Sequence, residues 1–396
     1  MTNAVIRRLT LFPLSIPLRW RVTTARSSYR LTENIIVSAE LADGTIGYGE
    51  SVPRRDVSDE TADSAAGAFE QVFGPALVDF HPSCFPEALE ALEALPWQNR
   101  SGHRIPATRA AIEMGLLDAA MQSFDRNMDD VVQWMGLPGF GSPGSLDRVR
   151  FSGVLADEDD PLTRRRLRGF YWRGVRDFSL SVGMSGDLNR TRRVAAYLRR
   201  PLACQRATLT IDAEGWWSKD EAIEWLSDAE DLGITHVEQP LPRSDDQDLL
   251  VLRDLFELPV IADESVLSVD DVQRIVSSGA ADGVNVGLSK CGGLLPSLRI
   301  AAAARRAELS VRLGCALGET SVLAAAGLRF LQVCPGVLQA EGCLGTSLLS
   351  DDVTARSLRF GYGGRPPKLG STGLGPPHDP ERIRSLCDGK PIVLVL

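Results

Sequence analysis

The sequence predicts an α/β fold in which a (β/α)8 barrel follows an N-terminal α+β domain. From about residue 149, eight short apolar runs alternate with amphipathic helical segments, which is the pattern of a parallel barrel. At 396 residues the chain is also too long for a single ordinary core. An open doubly wound sheet is the rival arrangement, but no GxGxxG motif follows the first strand of this region, so a dinucleotide-binding fold has little support.

Residues 1–132 are predicted to form the α+β domain. The strand-like segments IRRLTLFPL and NIIVSAEL precede LADGTIGYGES, which predicts a hairpin with Asp43 and Gly44 at its turn. From about residue 60 the periodicity becomes helical, because apolar residues recur at i, i+3, i+4 and i+7 in ETADSAAGAFEQVF and ATRAAIEMGLLDAAMQSF.

Residues 133–350 are predicted to form the barrel. Its eight candidate strands are 149–155, 175–182, 207–212, 235–239, 259–263, 282–287, 310–314 and 336–340. The segment 351–396 is rich in glycine and proline and ends in the strand-like PIVLVL, which we expect to pack back on the N-terminal domain.

Composition and charge exclude several classes of function. The net charge is −9 and no run of basic residues occurs, which disfavours a nucleic-acid or anionic-membrane partner. No apolar stretch reaches the roughly 20 residues that a membrane helix needs, and Arg7, Arg8 and two prolines interrupt the N-terminal stretch, unlike a signal peptide. The seven cysteines are scattered without CxxC spacing, which predicts a reducing, cytoplasmic location without a zinc knuckle or disulfide framework.

Three acidic residues close three successive predicted strands, 26 and 25 residues apart: Asp212, Glu238 and Asp263. The strand ends of a parallel barrel converge on one mouth, where three carboxylates would repel one another unless a cation lay between them. Oxygen ligands of this kind suit Mg²⁺. The alternative is that each acid caps the following helix or ends a loop.

Lys290 lies 27 residues after Asp263, one further unit along, and is one of only four lysines in the chain. A lysine near a divalent cation and partly desolvated is expected to have a lowered pKa, which suits a general base. A salt bridge to one of the acids is the alternative, and the two roles can coexist.

These motifs resemble the enolase superfamily and, within it, the muconate lactonizing enzyme-like subgroup, which includes muconate cycloisomerases and dipeptide epimerases and is related to mandelate racemase. The resemblance covers nearly the whole chain and rests on the three acids, the phrases VEQPL and ADES, Lys290 followed by Cys-Gly-Gly, and GYGESVPRRDVSDET and RAAIEMGLLDAA. It implies a capping domain on a modified (β/α)7β barrel of the TIM type. It also implies one Mg²⁺ (or Mn²⁺) per subunit, which binds the substrate carboxylate and stabilises the enediolate formed when the proton on the neighbouring carbon is removed.

The chain departs from the subgroup's pattern in its proton-transfer residues. Ser179 and Ser181 stand where the family has Lys-x-Lys at the end of the second strand, and serine takes no proton from carbon without an activating base. They are polar fillers or substrate hydrogen-bonding groups. Gly287 stands where the family frequently has another lysine, and this replacement is expected to open space near Asn285. Asn285 itself is expected to lie around the metal ligands without binding the metal.

Other acidic residues near the predicted mouth have several possible roles. Glu214 replaces a frequent asparagine and is a substrate contact, an outer-shell group, a general acid or a solvated loop acid. Glu341, in Gln-Ala-Glu-Gly, replaces part of the Asp-x-Asp-Gly that holds the substrate ammonium in dipeptide epimerases. Glu264 is expected to support the metal shell or Lys290, and Glu319 to face the pocket.

The resemblance assigns the distal part of the substrate to the loop 22–30, where Arg26 and Tyr29 are the candidate contacts. The sequence as a whole predicts a Mg²⁺-dependent isomerase, of the racemase, epimerase or cycloisomerase kind, that acts on a small carboxylate. Two alternatives stay open: an acid dehydratase with Lys290 as base and Glu214 assisting the leaving group, and a metal-binding pseudoenzyme. Relatives commonly form symmetric homo-oligomers, so we expect one here.

Overall fold

The chain forms an antiparallel sheet with helices and, beside it, a closed eight-stranded barrel. The computed structural model describes residues 4–24, 27–156, 160–184, 186–243, 245–342, 345–370, 373–376 and 378–396. Within these ranges no helix is both long and apolar enough to cross a membrane.

The antiparallel sheet belongs to the capping domain and has the strand order β12-β1-β2-β3. Its strands are β1 (Ile6–Thr23), β2 (Ser28–Leu41), β3 (Ile46–Ser51) and the C-terminal β12 (Ile392–Val395), which pairs with β1. The β2–β3 hairpin turns at Asp43 and Gly44 as predicted, because the Asp43 side chain accepts a hydrogen bond from the Thr45 amide (2.8 Å) and Gly44 has a φ of 87°. The helices that follow are α1 (Ala62–Ala68), a π-helical turn (Phe69–Phe73), α2 (Gly74–Leu77), α3 (Phe85–Glu93), α4 (Pro106–Ser123) and α5 (Met128–Trp134).

Helix α4 is buried on nearly every side, although its sequence pattern predicted a single apolar face. It lies against β2 and β3 of the sheet and also touches the barrel, so no face is left for solvent. Gly47 and Gly49 of β3 make the close approach possible, because a Cβ atom at either position would lie less than 2.5 Å from backbone atoms of α4.

The barrel closes with eight parallel strands in the order β10-β11-β4-β5-β6-β7-β8-β9, so the predicted barrel is confirmed. The strands are β4 (Arg150–Leu155), β5 (Asp177–Ser181), β6 (Thr208–Asp212), β7 (His236–Glu238), β8 (Val260–Ala262), β9 (Gly283–Val286), β10 (Ser310–Leu313) and β11 (Gln339–Ala340). The intervening helices are α6 (Asp160–Trp172), α7 (Asp187–Ala203), α8 (Lys219–Ala229) with a 3₁₀ turn (Glu230–Leu232), α9 (Asp246–Leu255), α10 (Val269–Ser278), α11 (Leu294–Arg306) and α12 (Ser321–Val333).

The eighth unit of the barrel is short. Strand β11 has two residues, and the helix after it, α13 (Gly345–Leu348), has four. The chain then continues irregularly through a 3₁₀ turn (Tyr362–Gly364) to α14 (Pro380–Ser385) and β12. No long helix therefore covers the barrel between α12 and α6 in the part of the chain that the structure describes.

Two buried carboxylates of the capping domain bind helix N-termini of the barrel. Glu113 of α4 accepts hydrogen bonds from the amides of Leu294 (3.0 Å) and Leu295 (2.8 Å) at the start of α11. Glu50 of β3 does the same at α12, where it accepts from the amides of Thr320 (2.9 Å) and Leu323 (2.8 Å). These carboxylates satisfy amides that have no partner within their helices, and they fix the capping domain over the barrel.

We expect the stability of the protein to fall between about pH 4.5 and pH 7 because of Glu113. Burial raises the pKa of this carboxyl from 4.5 to about 7 in the folded protein, although Arg109 and the two amides favour the charged form. In that window the folded protein holds a proton that the unfolded chain has released, so rising pH favours unfolding. Urea unfolding at pH 5 and pH 7.5 should show wild type losing about 2 kcal/mol relative to Glu113→Gln. Parallel pH dependence of the two proteins would contradict this expectation.

Candidate active site

The three acids predicted as metal ligands follow adjacent strands of the barrel. Asp212 and Glu238 are direct neighbours in the register of β6 and β7, and Asp263 lies two residues after Ile261, the β8 neighbour of Glu238. All three line one cavity of about 1150 Å³ at the barrel mouth. The spacing of 26 and 25 residues in the sequence therefore corresponds to neighbouring positions in space, as predicted.

The carboxyl groups of these acids lie close enough to repel one another. Burial, and then repulsion by Glu238, raise the pKa of Asp212 well above its usual value. Burial and repulsion by Asp263 raise the pKa of Glu238 to about 7. Glu238 is nevertheless held in place, because Asn285 Nδ2 donates a hydrogen bond to its Oε1 (2.6 Å) and Arg312 Nη1 lies 3.9 Å from its Oε2.

The chemistry of these residues suits a hard divalent cation. Carboxylate oxygens on three adjacent strand ends are the donors that Mg²⁺ prefers, and a cation would relieve their repulsion. In the described ranges, however, no three His, Cys, Asp or Glu side chains form a group that could hold a metal ion. The Asp263 carboxylate is instead turned toward Lys290, with 2.8 Å between Oδ1 and Nζ. The metal ligands thus remain a prediction.

Lys290 lies in the turn after β9, three residues beyond the predicted strand 282–287. Its buried ammonium group donates to the carbonyl oxygens of Asn285 (2.9 Å), Val266 (3.2 Å) and Asp263, in addition to the Asp263 carboxylate. Burial lowers the pKa of Lys290, but the attraction of Asp263 and its hydrogen bond outweigh burial, so the pKa is raised. In the described arrangement Asp263 thus neutralises the lysine, and the lowered pKa expected beside a divalent cation stays a prediction.

The space predicted to be open at Gly287 is occupied by the stem of Lys290. A Cβ atom on Gly287 would lie 3.1 Å from Lys290 Cε and 3.2 Å from its Cγ. A longer side chain at position 287 would displace Lys290 from its carbonyl partners. The buried position of Lys290 therefore depends on the lack of a side chain at Gly287.

The two serines of β5 occupy different depths of the barrel. Ser181 lines the large cavity, whereas Ser179 faces a small space in the barrel interior, and both are buried. Among the described residues that line the large cavity, Lys290 is the one lysine and there is no histidine. Among these described residues, Lys290 is thus the one candidate nitrogen base for proton transfer.

Four further acids line the cavity. Glu214 does so through a left-handed turn (φ 51°) after β6 rather than by strand alternation, and its amide donates to Asp212 Oδ1 (3.0 Å). Burial and Glu50 raise the pKa of Glu319 well above its usual value, and burial and Glu238 raise the pKa of Glu341 to about 8. Glu264 lines the cavity as well and is largely buried.

The capping domain reaches the cavity through a residue that the sequence analysis missed. Tyr29 is absent from the described cavity lining, but Arg54 lines it and donates a hydrogen bond to Tyr29 Oη (2.8 Å). Arg54 also pairs with Asp56, at 2.6 Å between Nη2 and Oδ2. No sequence signal distinguished Arg54 from its neighbours, and the predicted contact Arg26 lies outside the described residues.

Two other contributors were also missed. Arg312 is a charged residue at an inward-facing position of β10, where it donates to Thr210 Oγ1 (3.1 Å); strand alternation alone would have revealed it. Cys315 follows the same strand, and its Sγ lies 3.9 Å from Glu341 Oε2.

Comparisons with known proteins agree with this architecture. Residues 163–381 match the family model described as enolase C-terminal domain-like. The L-Lys-D/L-Arg epimerase of Methylococcus capsulatus is 30% identical over 82% of this chain and 85% of the epimerase. The muconate lactonizing enzyme of Pseudomonas fluorescens, solved with muconolactone, superposes with a TM-score of 0.83 over 97% of this chain and 100% of that chain at 21% identity. A dipeptide epimerase of Cytophaga hutchinsonii, solved with Mg and the dipeptide D-Ala-L-Val, has a TM-score of 0.79 over 98% of this chain and 100% of that chain at 21% identity.

Proposed function

Because this chain belongs to the enolase C-terminal domain-like family, we propose that it is an isomerase, of the racemase, epimerase or cycloisomerase kind, that acts on a small carboxylate. The observation that carries this proposal is that Asp212, Glu238, Asp263 and Lys290 all line one cavity at the barrel mouth. The chemistry is removal of the proton on the carbon next to the substrate carboxylate.

Asp212, Glu238 and Asp263 are the residues that would hold one Mg²⁺, or Mn²⁺, per subunit. The ion would supply charge stabilisation to the substrate carboxylate as the proton leaves. Asn285 keeps Glu238 in position through its 2.6 Å hydrogen bond, and Glu264 lies beside Asp263. Glu214, Glu319, Glu341 and Ser181 are proposed substrate contacts, whereas Ser179 lies outside the large cavity. The cytoplasmic location and the homo-oligomer remain predictions from the sequence.

Lys290 is proposed to move the proton. It is the one lysine in the described lining of the cavity, where no histidine is present. To accept a proton from carbon, Lys290 must be in its neutral amine form, which the charged Asp263 carboxylate opposes, because its Oδ1 lies 2.8 Å from Nζ and favours the ammonium form. The pair therefore acts as a unit, in which Asp263 sets the protonation of Lys290.

Deuterium exchange tests this proposal. The protein is incubated in D₂O with Mg²⁺ and a panel of dipeptides, N-acylamino acids and sugar acids, and deuterium at the α-carbon is measured by mass spectrometry. We expect Mg²⁺-dependent exchange with at least one substrate class, and we expect Lys290→Met to reduce it by about 10²-fold or more. Lys219→Met is the matched control, because Lys219 is a half-buried barrel lysine that pairs with Asp248 (2.9 Å) and does not line the cavity.

The products separate the candidate reactions. Exchange with inversion indicates a second proton donor and an isomerase, whereas exchange without net change indicates proton transfer on one face. Unchanged exchange in Lys290→Met would remove this lysine from the mechanism. The absence of deuterium exchange with every compound of the panel, although Mg²⁺ binds, would overturn the isomerase proposal.

Two specific observations favour other functions. Ser179 and Ser181 provide no second base, and Glu214 lies near Asp212, which favours elimination of a hydroxyl by an acid dehydratase; loss of water in the same assay would indicate it. Lys290 already has four acceptors, which favours a metal-binding pseudoenzyme in which this lysine is structural. In that case Lys290→Met would lower the stability of the protein, and no activity would be found to lose.

A further inference from the structure

The large cavity extends beyond the barrel mouth into the layer between strands and helices. Its lining includes Phe151 of β4 and Leu313 of β10, which alternate with the inward-facing Ser152 and Arg312 and therefore point away from the barrel axis. At about 1150 Å³ the cavity also exceeds the space that a small carboxylate needs, since pockets of roughly 300–1,000 Å³ accommodate drug-sized ligands.

This extension exists because the eighth unit of the barrel is short. Helix α13 has four residues, so α6 and α12 are not separated by a long helix in the described chain. The gap is lined by apolar side chains from β4, α6, α12 and the segment after α13. We call it the side compartment and define it by Phe151, Phe170, Leu331 and Phe360. The rings of Phe151 and Phe360 contact each other edge to face, with 4.8 Å between their centroids.

Three arginines line the same cavity beside the side compartment. Arg165 and Gly169 lie four residues apart on the same face of α6. Arg173 follows four residues later, directly after the last residue of the helix. Arg359 belongs to the segment after α13, which is held against the end of α6 by a hydrogen bond from the Gly363 amide to the Arg173 carbonyl (2.7 Å). We call Arg165, Arg173 and Arg359 the arginine rim.

The side chains of the arginine rim are available to a ligand. All three residues are exposed, and within the described ranges none of their guanidinium groups has a hydrogen-bond, ion-pair or aromatic partner. Their neighbour Arg166 differs, because it stacks over the Trp20 ring at 4.8 Å. Unpaired guanidinium groups bind carboxylates and phosphates through charged hydrogen bonds.

We propose that the side compartment and the arginine rim form a second substrate subsite, which takes an apolar chain ending in an anionic group, either a carboxylate or a phosphate. The substrate would then carry a carboxylate at the acidic end of the cavity and an anion at the other end, joined by an apolar spacer. The inference rests on the proposed function for the carboxylate at the metal end. The subsite itself rests on the lining of the cavity.

Binding calorimetry in the presence of Mg²⁺ tests the subsite without turnover. The ligands are octanoate, suberate and 7-phosphonoheptanoate, which share an apolar chain and differ at the far end. We expect suberate or the phosphonate to bind about tenfold or more tightly than octanoate, and we expect Arg165→Gln, Arg173→Gln and Arg359→Gln each to remove most of this preference. Which of the two anions binds better distinguishes a carboxylate from a phosphate substrate.

Arg168→Gln is the matched control, because Arg168 is an exposed arginine of α6 that does not line the cavity. It should keep the full preference for the anionic ligands. Equal affinity for the three ligands, no binding of any of them, or an unchanged preference in the rim variants would overturn the subsite. If deuterium exchange fails while the preference holds, only the proposed function falls; if exchange succeeds while the preference is absent, only the subsite falls.

Discussion

Replacing Glu238 by glutamine is expected to lower kcat/KM for α-proton exchange by about 10³-fold or more. The variant removes the charge of the central acid of the three, which lies in register beside Asp212. The same change should stabilise the protein in the absence of metal, because Glu238 is buried and repelled by Asp263. Exchange kinetics and thermal melting in EDTA measure the two effects.

A loss of activity together with a gain in stability would show that Glu238 serves the chemistry rather than the fold. Glu224→Gln is the matched control, since Glu224 is exposed on α8 of the same barrel, and it should change neither quantity. A Glu238→Gln protein that melts earlier and retains exchange would show that Glu238 maintains the fold rather than the chemistry.

Replacing Gly49 by alanine is expected to destabilise the protein by about 3 kcal/mol or more. The added Cβ would lie 2.1 Å from the Ala111 carbonyl oxygen and 2.4 Å from the Gly115 amide nitrogen. Both are backbone atoms of α4, so no side chain can rotate away, and the helix must separate from the sheet. Glu113, on the same helix, would lose its alignment with α11.

Urea unfolding of Gly49→Ala beside Gly67→Ala measures this effect. Gly67 lies in α1 of the same domain, and a Cβ atom added there would meet no atom within 4 Å beyond the backbone of its own helix. Alanine at position 67 should therefore stabilise the protein by about 0.5–1 kcal/mol through helix propensity. Equal stability of the two variants would mean that the contact between β3 and α4 tolerates expansion.

The barrel and its three acids were predictable because both depend on local repetition. Each βα unit carries its own periodicity, and the spacing of 26 and 25 residues places the acids after successive strands. The hairpin at Asp43 and Gly44 was predictable for the same reason, since its signal lies within a few residues. Features set by long-range packing were not predictable: α4 is buried on all sides only because the barrel covers its second face.

The environment of Lys290 is the clearest example of a feature that could not be predicted from the sequence. Its sequence position suggested a base at the barrel mouth, but two carbonyl oxygens from the loop after β8 and one from β9 converge on its ammonium group. Carbonyl positions depend on backbone geometry and leave no trace in residue identity. The side compartment was equally inaccessible to sequence reasoning, because it arises from the shortness of α13.

The central claim is that the strand-end acids hold a divalent cation at the cavity where Lys290 lies. Calorimetric titration of the metal-free protein with Mg²⁺, for wild type and for Glu238→Gln, tests this claim most directly. We expect one ion per chain in wild type and affinity reduced by about 100-fold or more in the variant. Equal affinity in the two proteins, or no binding by wild type, would contradict the account.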